Sequence, residues 1–136
     1  MGTVEEARQV KVLVVDDQAP FRGAAKRVVA MTPGFEIVGE ATTGEEAVEM
    51  AASLEPDLVL MDINLPGING IEAVRRIQAA RPETLAFLLS TYAQADLPAD
   101  AQTCGAVAYI HKEQFMPQLL AKLWESRGDP AWPSAS

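Results

Sequence analysis

Three short apolar runs constrain this chain more than any other feature. They are Val12-Leu13-Val14-Val15, Leu58-Val59-Leu60-Met61 and Val107-Ala108-Tyr109-Ile110. Such runs read as strands buried on both faces, the pattern of a parallel sheet. Each one ends in polar groups: Asp16-Asp17 after the first, Asp62 after the second, His111-Lys112 after the third. In an open parallel sheet, residues just past the strand ends line one crevice, and that crevice is where such folds place their sites. The sequence therefore sets three carboxylates and one ammonium along one edge. Carboxylates held close repel and force one another partly neutral. A hard cation that prefers oxygen ligands, such as Mg²⁺, removes that conflict.

The segments between the runs read as helices. Phe21, Ala24, Ala25, Val28 and Val29 fall at helical spacing after Pro20, and Thr32-Pro33-Gly34 ends that pattern. A strand over Phe35–Glu40 follows. Thr43 and Glu46 have capping-box spacing ahead of a helix that stops at about Leu54, before Pro56. Pro66, Gly67, Asn69 and Gly70 mark a turn, and Ile71, Val74 and Ile77 share one side of the helix beyond it. A fourth strand is expected over Leu85–Leu89. A fourth helix is expected over Ala93–Cys104, short or irregular, because Leu97 is its single large aliphatic residue and Pro98 sits inside it. The last helix, about Gln114–Ser126, carries the stripe Phe115, Leu119, Leu120, Leu123 and Trp124. Strands alternating with helices at this spacing imply βα units, with right-handed crossovers that place helices on both faces of a parallel sheet.

Composition narrows the function. The chain has 136 residues, one ordinary domain's worth, and is 49% hydrophobic, enough for a core without staples. Its net charge is −8, from 19 acidic and 11 basic residues, which argues against direct nucleic-acid binding, since phosphate contacts need Lys and Arg. The single cysteine, Cys104, permits no internal disulfide and reads as a small packed residue. No apolar run reaches the length of a membrane span and no signal-peptide core precedes the first strand, so the expected location is cytoplasmic.

Asp16-Asp17, Asp62, Ser90 and Lys112, each after a different strand and in this order, resemble the phosphorylation site of bacterial response-regulator receiver domains. Met61-Asp62-Ile63-Asn64-Leu65-Pro66-Gly67 is similar to the family's loop after its phospho-accepting Asp. Ala41-Thr42-Thr43-Gly44-Glu45-Glu46-Ala47 resembles the family's entry to its second helix, and Gly105-Ala106 through Tyr109 to Lys112 its fifth strand. The resemblance covers about Lys11 to Ser126. It implies an α/β, flavodoxin-like (βα)5 doubly wound fold with a five-stranded parallel sheet in the order 2-1-3-4-5. The expected organisation is a flexible lead-in over 1–9, a receiver domain over 10–126 and a flexible tail over 127–136.

The resemblance also implies roles. Asp62 is the expected nucleophile and phosphorylation site, a carboxylate that attacks a phosphoryl group and holds it as an acyl phosphate. Asp16, Asp17, Asp62 and the backbone carbonyl of Asn64 are the expected ligands of Mg²⁺, with Mn²⁺ as a substitute. Lys112 is expected to pair with Asp62 at rest and with a phosphoryl oxygen afterwards. Ser90 would donate its hydroxyl to the phosphoryl group, with Thr91 a competing hydroxyl. Tyr109 matches the family's aromatic switch and would rotate from solvent into space that Ser90 vacates. Each residue also has a plainer reading: Asp62 starting a turn, the Asp16-Asp17 pair favouring a helix N-terminus, Lys112 at the surface, Ser90 forming a turn, Tyr109 packing. Glu113 stands where many receivers carry a proline after the lysine, so no cis peptide bond is expected there.

The function implied is a receiver in a two-component phosphorelay. It would take its phosphoryl group from a histidine kinase or phosphotransfer protein and catalyse only its own phosphorylation and dephosphorylation. Only Arg127 to Ser136 follow the last helix, with Gly128, Pro130 and Pro133 among them, so a stand-alone receiver is expected. Its output would pass through a homodimer or a partner on the face of the fourth helix, fifth strand and last helix. Two alternatives come from other classes: a small Mg²⁺-dependent phosphatase using Asp62, and an interaction domain that is never phosphorylated. No P-loop run is present, and adjacent aspartates fit neither the Asp-x-Asp of haloacid-dehalogenase-like phosphatases nor a flavodoxin's phosphate loop.

Overall fold

A computed structural model of the chain describes residues 9–93 and 96–127. Five parallel strands form one sheet: β1 (Val10–Val15), β2 (Phe35–Ala41), β3 (Leu58–Asp62), β4 (Leu85–Ser90) and β5 (Ala108–His111). Their order is β2-β1-β3-β4-β5, as expected. Four α-helices stand among the described residues: α1 (Ala19–Ala30), α2 (Gly44–Leu54), α3 (Gly70–Ala80) and α4 (Pro117–Glu125).

The apolar runs alternate between two cores. Leu13, Val15, Val59, Met61, Ala86 and Leu88 pack with Ala47, Ala51, Val74 and Ile77 of α2 and α3. Val12, Val14, Leu58, Leu60, Phe87 and Leu89 pack with Ala25 and Val29 of α1 and with Leu120 and Leu123 of α4. Successive strand residues point to opposite faces, so a run apolar at every position must be covered on both. This covering makes the sheet doubly wound and leaves its carboxyl edge as the open place for polar groups.

Local chemistry sets the helix starts. Asn69 and Thr43 each cap a helix by accepting from the backbone N–H three residues on, Glu72 at 2.9 Å and Glu46 at 3.0 Å. The carboxylate of Glu46 takes the N–H of Thr42 at 2.7 Å, not that of Thr43, so the capping box is offset by one residue. Pro20 and Pro117 lie in the first turns of α1 and α4, where the missing N–H costs nothing.

The connection from β4 to β5 departs from expectation. Of the helix expected over Ala93–Cys104, residues 94 and 95 lie outside the described ones; the described residues form no α-helix there, and a 3₁₀ turn, Ala99–Gln102, begins directly after Pro98. An alanine-rich segment has propensity but little to bury, and propensity alone does not hold a short helix. Ala101 and Cys104 are nevertheless buried and anchor the turn against the α2–α3 core. The last helix also starts later than expected, at Pro117, after a separate 3₁₀ turn at Lys112–Gln114. The peptide bond after Lys112 is trans. The expected lead-in and tail fall almost wholly outside the described residues.

Candidate functional site

Asp16, Asp17 and Asp62 meet at the carboxyl edge, where β1 and β3 are neighbours. One carboxylate oxygen from each lies within 4.8 Å of the others. Asp16 is buried, Asp17 is exposed, and Asp62 keeps only 5% of its surface. Asp16 is aimed by its own turn: Oδ1 accepts the N–H of Gln18 at 2.9 Å, while its carbonyl accepts from Arg22 Nη1 at 2.8 Å.

Lys112 reaches this cluster across the sheet from β5. Its Nζ lies 2.6 Å from Asp16 Oδ2 and 3.4 Å from Asp62 Oδ1. The pairing anticipated with Asp62 is thus the longer of two contacts, and Asp16 is the closer partner. Burial and the neighbouring Asp16 charge push the Asp62 carboxyl up to about 6, against a smaller opposing effect of Lys112 and the Asn64 N–H. One ammonium does not balance three carboxylates. Hard oxygen donors on three sides, with an excess of negative charge, fit a small divalent cation.

Two loops flank the carboxylates. Asn64 follows β3 and is exposed; its N–H points to Asp62 Oδ1 at 3.4 Å, and its side-chain oxygen accepts from the Tyr92 hydroxyl at 3.3 Å. Glu45, at the start of α2, braces the same loop by accepting the N–H of Ile68 at 3.2 Å. Ser90 ends β4 and is buried, and its Oγ accepts the N–H of Tyr92 at 2.9 Å. Thr91 is exposed; its carbonyl meets His111 Nε2 at 3.1 Å, while His111 Nδ1 accepts from Glu113 N–H. His111 therefore ties the ends of β4 and β5 together.

Tyr109 differs from the starting position expected of it. Its ring is fully buried, with its hydroxyl donating to the carbonyl of Tyr92 and lying 3.5 Å from that of Ser90. Burial pushes its phenol pKa upward. Phe21, Arg22 and Tyr92 also touch the site, and sequence reasoning did not select them. The one available signal was proximity, since Phe21 and Arg22 follow Asp17 within about a helical turn and Tyr92 stands two places after Ser90.

The response regulator receiver domain family model matches residues 12–124. The chain is 36% identical over 112 residues to the transcriptional regulatory protein DegU of Brevibacillus brevis, covering 82% of this chain and 48% of that one. It is 44% identical to a protein-glutamate methylesterase/protein-glutamine glutaminase of Alkalilimnicola ehrlichii, covering 90% of this chain and 35% of that protein. The chain therefore spans about half, or less, of the length of these relatives. Among solved structures, the response regulator domain of Thermotoga maritima CheB superposes with a TM-score of 0.79 at 36% identity, covering 91% of this chain and all of that domain. A family match that begins in β1 and ends in α4, over the same fold, makes this chain a member of the response regulator receiver domain family.

Proposed function

We propose that this receiver is switched by phosphorylation of Asp62 and that Mg²⁺, or Mn²⁺ in its place, is held by Asp16, Asp17, Asp62 and the Asn64 carbonyl. The observation that carries the reading is the convergence of three carboxylates within 4.8 Å, with the Lys112 ammonium 2.6 and 3.4 Å from two of them. The cation would neutralise charge on the transferring phosphoryl oxygens.

The chain's own residues perform the rest. An Asp62 oxygen forms the new P–O bond as the P–N bond of a donor phosphohistidine breaks, and the departing imidazole nitrogen takes a proton from solvent. Lys112 exchanges a carboxylate for a phosphoryl oxygen as its partner. Ser90, whose Oγ already accepts from Tyr92, donates its hydrogen to another phosphoryl oxygen. A histidine kinase or phosphotransfer protein is the donor. Output passes through the β4–β5 connection, β5 and α4, to a second copy or another partner, because Ser90 and Tyr109 both contact Tyr92 in that connection.

Intact-mass measurement after incubation with acetyl phosphate and Mg²⁺ tests this. One phosphoryl adduct is expected on the wild type, labile to base, and none on Asp62→Asn or in chelator. A full adduct on Asp62→Asn places the nucleophile elsewhere. Multiple turnover of a small phosphoester, without an adduct, makes the chain a phosphatase instead.

A further inference from the structure

Lys112 has a third neighbour besides its two carboxylates. Its Nζ stands 4.6 Å from the centre of the Phe21 ring, over the ring face. A cation in that position is attracted by the negative face of the ring, the more so where water is scarce, and the Lys112 side chain is only 14% exposed. Phe21 is not free to drift. It lies in the first turn of α1, its N–H bonded to Gln18 O at 3.1 Å, and its ring packs on Phe115 at 6.4 Å between centroids. Phe115 directly follows the 3₁₀ turn that Lys112 begins. The lysine and the aromatic pair therefore form one unit, closing α1 onto the end of β5.

We propose that Phe21 is a positioning residue for Lys112, holding the ammonium at the mouth of the carboxylate cluster when its bond to Asp16 is given up. The inference rests on the phosphoryl-acceptor reading and deepens it. A cation at Asp16 competes with Lys112 for the same carboxylate, and repulsion alone would let a long lysine side chain swing into water. The ring face offers the ammonium an attraction that needs no carboxylate. Nζ then stays within reach of an incoming phosphoryl oxygen and loses less freedom on meeting it. An aliphatic side chain of similar size fills the space between α1 and Phe115 but offers no such face.

The contrast between filling and attraction supplies the test. Binding of Mg²⁺ alone, and of beryllofluoride in saturating Mg²⁺, is measured by calorimetry for the wild type, Phe21→Leu, Phe21→Met and Phe21→Trp. The expected result is Mg²⁺ affinity within about twofold of wild type in all four, with beryllofluoride bound roughly 3- to 10-fold more weakly by Phe21→Leu and Phe21→Met and as well as wild type by Phe21→Trp. An independent readout is the Lys112 ε-methylene proton resonance, identified by its loss in Lys112→Met. In the wild type it should be ring-current shifted, and it should stay so when Mg²⁺ is added. Equal beryllofluoride affinity in the wild type and Phe21→Leu overturns the inference alone. So does loss of the ring-current shift on adding Mg²⁺. A parallel fall in Mg²⁺ and beryllofluoride affinity reduces Phe21 to a packing residue and also overturns it. A wild type that binds Mg²⁺ but no beryllofluoride overturns the phosphoryl-acceptor reading, and this inference with it.

Discussion

The loop after β3 and the connection after β4 border the same site but are built differently. The β3 loop is braced from several sides: Glu45 takes the Ile68 N–H, Asn69 caps α3, and Gly70 N–H bonds to the Ile63 carbonyl at 2.8 Å. Gly70 is pressed so close to Asp62 that a Cβ there would lie 2.0 Å from the Asp62 carbonyl oxygen. The β4–β5 connection carries a 3₁₀ turn at Ala99–Gln102 and exposed residues at Thr91, Tyr92 and Ala93. Among the described residues its bonds to the site centre on Tyr92, which meets Ser90, Tyr109 and Asn64, and on the Thr91 carbonyl, which meets His111. Asp62, the proposed nucleophile, sits on the braced side, and Ser90 and Tyr109, the proposed responding groups, contact the sparely held side. Such a division suits a switch: chemistry needs fixed carboxylates, and elements that change conformation come from the less stable parts of a fold.

The largest effect should come from crowding the braced side. Gly70→Ala forces Asp62 or α3 to move, and we expect it to lower unfolding free energy by about 3 kcal/mol in urea titrations. Gly105→Ala is its counterpart in the β4–β5 connection. Gly105 has φ of +111°, so alanine is strained there, but its Cβ would meet only the flexible side chain of Gln78, at 3.0 Å. A cost of about 1–2 kcal/mol is expected. If Gly105→Ala costs as much as Gly70→Ala, the two regions are equally constrained and the comparison fails.

Removing charge from the same braced cluster should act in the opposite direction. Asp62 titrates near 6 in the fold, against 3.8 ordinarily. A raised carboxyl pKa means that the folded protein holds the proton more tightly than the unfolded chain. The associated stability is fully present below about pH 4 and is lost as pH rises through about 6. In chelator at pH 7.5, Asp62→Asn should therefore be more stable than the wild type by on the order of 1–3 kcal/mol. Melting the two proteins from pH 4 to 8 checks both sign and window: the gap should close towards pH 4. A gap that widens at low pH would show that Lys112 dominates the Asp62 environment instead.

Much of this arrangement was legible in the sequence, for identifiable reasons. The runs Val12–Val15 and Leu58–Met61 are apolar at every position, and a strand buried on both faces is the simplest structure that uses such a run. The residues after them were thereby fixed to one edge, which brought Asp16, Asp17 and Asp62 together. Thr43 and Asn69 cap helices because their short polar side chains reach back to the backbone. Over Ala93–Cys104 the sequence signal is weak, with Leu97 the single large aliphatic residue and Pro98 inside, and burial decides the outcome: Ala101 and Cys104 lie in the core, and the turn before Cys104 starts directly after Pro98. The Asp16–Lys112 bond, the Phe21 contact and the inward Tyr109 ring depend on side-chain rotamers of residues distant in sequence. No periodicity encodes those. Tyr109 in particular had an apolar body and a polar tip, and the Tyr92 carbonyl decided where that tip went.

On the sparely held side, Tyr109→Phe removes one hydroxyl and leaves the ring. The bond from that hydroxyl to the Tyr92 carbonyl is lost, at a cost of about 1 kcal/mol. The more telling readout is amide exchange, which should quicken around Tyr92 and Ala93 and stay unchanged from Asn64 to Gly70. Mg²⁺ affinity should also stay unchanged, since none of the carboxylates is touched. Faster exchange in both loops would mean that the braced side depends on the connection, contrary to the division drawn above.

The smallest effect concerns an ion pair between α3, which follows the β3 loop, and the β4–β5 connection. Arg75 on α3 lies 3.7 Å from Asp100 in the 3₁₀ turn, both about half exposed, and Arg75 is also engaged by Glu72 at 2.9 Å. A long, exposed pair is screened by salt and costs side-chain freedom, so its net contribution is about 0–0.5 kcal/mol. Buried Ala101 and Cys104 lie next to it and remove apolar surface from water without such screening. Asp100→Asn should therefore shift the melting temperature by no more than about 1–2 °C, and the shift should vanish in molar salt. Ala101→Ser places a hydroxyl in the α2–α3 core and should loosen the turn measurably more. If Asp100→Asn instead matches Ala101→Ser in exchange rates over Ala99–Gln102, electrostatics holds the connection to α3, and its conformation should then shift with ionic strength as well as with the state of Asp62.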